Sequence, residues 1–99
     1  MNIGIDYDKT YTLDKKLWNQ IINLFLNANH KVYCVTKRYK HLADDIRADM
    51  NIPIIYATKS KMEAVAFKNI KIDVWIDDKP QSIYPYRLIK PLNKGFRRW

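Results

Sequence analysis

Ninety-nine residues leave space for one domain spanning 1–99, without a second lobe, and a chain of this size buries only roughly 60 to 70% of the surface its unfolded form exposes. No stretch approaches the ~20 consecutive apolar residues of a membrane span, and the N-terminal Met-Asn-Ile-Gly-Ile-Asp is too short and wrongly charged for a signal peptide, so a cytoplasmic protein with no membrane partner is expected. Eighteen basic against ten acidic residues set a formal charge of +8, which attracts polyanions such as nucleic acid, although 13 Ile, 13 Lys and 8 Asn beside 2 Gly is also the signature of an AT-rich coding sequence.

Ile3, Ile5 and Tyr7 alternate with polar or small residues and predict a first strand that stops at Asp6 and Asp8. Leu13, Leu17, Ile21 and Phe25 then recur every four residues, with Trp18, Ile22 and Leu24 widening the stripe, which predicts an amphipathic helix over 13–28. Val32 to Val35 form a near-continuous apolar run, as a strand buried on both faces requires, and Cys34 within it reads as a small buried hydrophobe with no disulfide partner. Leu42, Ile46 and Met50 predict a second helix over 39–50 that ends before Pro53, and residues 54–57 a third strand. Ser60 and Glu63 make a capping box that starts a helix running to about Asn69. A fourth strand over 72–76 ends in Asp77 and Asp78, a short helix starts near 81, and a fifth strand is expected over 86–89. Strands alternating with helices through short connections imply right-handed crossovers, and hence a three-layer, Rossmann-like α/β domain with a mostly parallel sheet of about five strands.

In that arrangement Asp6, Asp8, Thr36, Lys61, Asp77 and Asp78 all follow or abut strand ends on one side of the sheet, where open α/β sheets bind ligands. Oxygen ligands suit Mg²⁺ and a lysine neutralises phosphate oxygens, so the set describes a site for a divalent cation and a phosphoryl group. Thr36 reads either as a phosphoryl ligand or as a helix N-cap. Lys61 falls in the first turn after Ser60, where the helix dipole disfavours a cation by about 0.3 to 1 kcal/mol unless an anion is shared there, with Lys59 as a substitute. Adjacent Asp77 and Asp78 repel each other at a buried strand end unless a cation sits close.

In order and context this set resembles the haloacid dehalogenase (HAD) superfamily: Asp6-Tyr7-Asp8-Lys9-Thr10 as the first motif, Val35-Thr36 as the second, Lys61-Met62-Glu63-Ala64-Val65 as the third, and Trp75-Ile76-Asp77-Asp78 as the fourth. The segments around Asp6 and Asp77 look like those of small phage and bacterial HAD hydrolases without a cap domain. The resemblance implies a phosphatase in which Asp6 attacks phosphorus and Asp8 protonates the leaving oxygen and then activates water. It further implies that Thr36 and Lys61 hold phosphoryl oxygens, and that Mg²⁺ is held by Asp6, the Asp8 carbonyl and Asp77, with Asp78 in support; beside these, Lys37 and Lys9 are candidate substrate-binding cations, Lys9 alternatively only narrowing the turn geometry. Lys9 stands where many members have Gly. Neither the interval from Asp8 to the first helix nor the 25 positions from Thr36 to Lys61 has room for a cap, which leaves an open crevice.

Besides a phosphorylated substrate, such as a nucleotide or a nucleic acid terminus, two further readings fit the residues. Four acids would serve a two-metal nuclease, and the tail Phe96-Arg97-Arg98-Trp99 would serve a noncatalytic module binding nucleic acid or protein. An uncapped sheet edge also makes a homodimer a candidate.

Overall fold

Alternation along each strand sorts the apolar side chains of this computed structural model into two layers, within the described residues 1–85. Ile3 and Ile5 of β1 (Asn2–Ile5), Val32 and Cys34 of β2 (Lys31–Thr36), Ile54 and Tyr56 of β3 (Ile54–Tyr56) and Ile76 of β4 (Val74–Ile76) face one side. There they pack against Trp18, Ile22 and Phe25 of α1 (Lys15–Asn27) and Ile46 of α2 (Asp44–Asp49). Tyr33, Val35, Ile55 and Trp75 face the other side and meet Ala64 and Val65 of α3 (Lys61–Phe67). Burial of Cys34 pushes its thiol up to about 12, so the sulfur stays protonated within the core.

The strands are all parallel, in the order β3-β2-β1-β4. The chain moves outward through α1 and α2 on one face, then returns past β1 through α3 on the other, as right-handed crossovers demand. The strand order therefore reverses between β1 and β4, and a crevice opens at their carboxyl ends. Four strands are present among the described residues where about five were expected; the fifth expected strand, 86–89, and the tail 96–99 lie outside them. No helix among the described residues is long and apolar enough to cross a membrane.

Two corrections concern the helices. Leu13, Leu17 and Leu24 are 77%, 46% and 68% exposed, and Leu13 belongs to a 3-10 turn (Tyr11–Leu13) rather than to α1. A row spaced every four residues drifts around a 3.6-residue helix, whereas Trp18, Ile22 and Phe25 keep to one face. The second helix splits into a 3-10 turn (Lys40–Leu42) and α2, which leaves Leu42 exposed while Ile46 and Met50 stay buried.

Helix ends are set by local chemistry. Asp14 accepts from Leu17 N–H at the start of α1, and Ser60 Oγ accepts from Glu63 N–H at the start of α3. Both helices finish in a left-handed asparagine, Asn29 at φ 66° and Asn69 at φ 58°. The following N–H reaches back across the last turn in each case, His30 to Phe25 and Ile70 to Val65.

Candidate active site

The loop after β1 is held from beneath by two tyrosines. Tyr7 and Tyr11 are buried and stacked with centroids 5.5 Å apart, and the Tyr7 hydroxyl donates to Asp49. Burial, then Asp49, pushes the Tyr7 phenol well above its usual range, so it remains a donor. Tyr7 thus ends the strand earlier than its alternation suggests: it belongs to the turn, and its ring anchors the backbone between Asp6 and Asp8. Lys9 adopts φ 60°, a left-handed conformation that a non-glycine residue takes at a cost of roughly 1 kcal/mol or more.

Asp6 itself continues the ladder, its N–H donating to Ile76 O of β4. Its side chain is thereby fixed beside Asp77 and Asp78, and one carboxylate oxygen from each of the three lies within 4.8 Å of the others. Lys61, only 2% exposed, reaches in from the first turn of α3 and donates to Asp6 Oδ1 at 2.8 Å and to Asp77 Oδ2 at 2.5 Å. An ammonium at a helix N-terminus is disfavoured by the dipole, and these two carboxylates offset that. Lys59 lies exposed, so Lys61 is the lysine that enters the cluster.

Thr10 completes the arrangement. Its buried hydroxyl lies 3.3 Å from Asp6 Oδ2 and 3.3 Å from Asp78 Oδ1, and it accepts from Asp78 N–H. Asp77 accepts from Lys79 N–H through its other oxygen. Burial pushes Asp6 up to about 6, against the pull of Lys61 and with further upward pressure from Asp78 and Asp77. Asp78 is held below the usual carboxylate range, first by its hydrogen bond with Asp6. The shifts run in opposite directions, so of the two carboxyls Asp6 is the one that takes up a proton first as pH falls. A divalent cation fits this donor set: three hard oxygens converge, and a cation there would offset both the burial and the neighbouring acids that raise Asp6.

Asp8 lies at the same crevice, but its carboxylate stands outside the acid cluster. Arg38 grips it in two parallel hydrogen bonds, Nε to Oδ2 at 3.0 Å and Nη2 to Oδ1 at 2.8 Å, while Nη1 reaches Asp45. Thr36 is 1% exposed and accepts from Arg38 N–H, so the hydroxyl caps a turn while its own proton remains available to a ligand. A cavity of about 340 Å³ gathers Asp6, Asp8, Thr36, Lys61, Asp77 and Asp78, with Lys9 and Lys37 on its exposed rim.

All eight residues singled out from the sequence thus meet at one cavity. Thr10 and Arg38 are the additions: Thr10 was visible only as the last letter of the first motif, and Arg38 only as a basic residue after Thr36. Neither a protein-family model, nor a curated protein, nor a solved structure matches the chain.

Proposed function

We propose that the chain is a Mg²⁺-dependent phosphohydrolase of HAD type, acting through a phosphoryl group carried on Asp6. The observation that supports this most is the buried Asp6–Lys61–Asp77 bridge at the strand-order reversal, with Asp78 beside it. Mg²⁺ bound by Asp6, Asp77 and Asp78 would supply the positive charge that keeps Asp6 ionised and draws electron density from phosphorus.

The residues divide the work by position. Lys61 and Thr36 orient the nonbridging phosphoryl oxygens. One carboxylate oxygen of Asp6 attacks phosphorus, and the bond from phosphorus to the ester oxygen breaks. Asp8, after taking up a proton from solvent, gives it to that leaving oxygen, then takes one from the water that attacks the acyl phosphate, which releases orthophosphate and restores both Asp6 and protonated Asp8. For this Asp8 must leave the Arg38 fork, so Arg38 is a positioning residue that holds the acid at the mouth of the cavity until substrate arrives. Three convergent carboxylates with an ammonium between two of them suit one divalent ion, which favours this chemistry over that of a two-metal nuclease.

The test is release of orthophosphate from p-nitrophenyl phosphate with and without Mg²⁺. Asp6→Asn is expected to lower kcat by about 10³-fold or more, and beryllium trifluoride to form an adduct on Asp6. Undiminished turnover in Asp6→Asn would overturn the assignment.

A further inference from the structure

The acid cavity does not end at its rim. Lys37 and Ser82 also line a second cavity of about 410 Å³, which carries Lys59 and the half-exposed Tyr84. Lys59, Ser60 and Glu63 in turn line a third, of about 360 Å³, that ends at Lys68 and Phe67. Through these shared lining residues the three cavities adjoin in a row, a trough leading from Asp6 past the start of α3 to its last turn. Phe67 is 90% exposed, which nothing in the packing of α3 calls for. Lys37, Lys59 and Lys68 make no ion pair among the described residues, and Glu63 is the single acid of the outer two cavities.

Lysines spaced along a trough, with aromatic rings at intervals and a charge of +8 behind them, match the chemistry of an unpaired polynucleotide, whose phosphates need cations and whose bases offer flat apolar faces. We propose that the trough binds a single-stranded polynucleotide. Bases stack on Tyr84 and Phe67, phosphates meet Lys37, Lys59 and Lys68, and the strand leads a phosphorylated terminus to Asp6. Only the last of these steps rests on the phosphohydrolase reading.

The experiment follows the anisotropy of a fluorescein-labelled oligothymidylate of about 12 nucleotides binding the full chain in metal-free buffer, across a salt series. Two variants address the two outer cavities separately: Tyr84→Ala, and Phe67→Ala combined with Lys68→Ala. Each is expected to weaken binding about tenfold, and the double variant to reduce the salt slope by about 0.7, while turnover of p-nitrophenyl phosphate stays unchanged in both. Unchanged affinity in both variants, or equal affinity for a duplex whose bases cannot reach the rings, would overturn the proposal. Lost affinity in the variants of a protein that releases no phosphate would support the trough and sink the phosphohydrolase reading alone.

Discussion

Asp6 is a charged group in a place that resists charge, and this has a measurable signature. Its carboxyl holds a proton up to about pH 6 in the fold, against 3.8 for the free group. With respect to this residue the metal-free fold is therefore most favoured below 3.8, loses stability as pH rises through 6, and above that carries the full penalty of an ionised carboxylate in a buried place. Urea denaturation of metal-free protein should show the wild type gaining stability between about pH 7 and about pH 5 relative to Asp6→Asn, which cannot titrate there. Parallel pH profiles would refute the cause assigned to the shift. The same residue illustrates what was legible in the sequence. Asp6, Thr36, Lys61, Asp77 and Asp78 each close or follow an apolar run or a cap signal, and strand direction alone carries them to one edge of the sheet. Thr10 and Arg38 were hidden because their roles depend on contacts across the fold. Thr10 meets Asp78 only once β4 lies beside β1, and the Arg38 fork finds Asp8 across 30 positions of sequence.

At the level of elements, the placement of β4 beside β1 depends on a missing side chain. A Cβ at Gly4 would stand 3.0 Å from Cε3 and Cζ3 of the Trp75 ring and 3.3 Å from Ile72 Cγ2. The indole lies across the glycine, and Gly4 is paired with Trp75 in the ladder. Gly4→Ala is expected to lower stability by about 1–2 kcal/mol, read from thermal denaturation, because the ring and the sheet must separate. A variant as stable as the wild type would mean the indole can move aside. Element types read well from the sequence wherever apolar runs were short and bounded, as for 32–35 and 54–57. The faces of α1 read poorly, since a four-residue spacing in leucines mimics amphipathicity without keeping to one side. Leu13, Leu17 and Leu24 show that error directly.

For the whole molecule, the acids that would hold a cation come from opposite ends of the described chain. An ion that binds only the assembled site stabilises the fold by about 2.7 kcal/mol at a hundred times its Kd, worth roughly 10–20 °C in Tm for a domain of this size. Mg²⁺ is expected to raise Tm by that order in the wild type but not in the variant combining Asp77→Asn with Asp78→Asn. An equal rise in both would place the ion elsewhere. The Lys61 ammonium already shows what such distant pairing means for biogenesis. Its two partners lie 55 positions before it and 16 after it. A ribosome-bound fragment that has not yet exposed its fourth strand can seat this nitrogen against only one of them, so the acid cluster reaches its final form only after that strand has emerged.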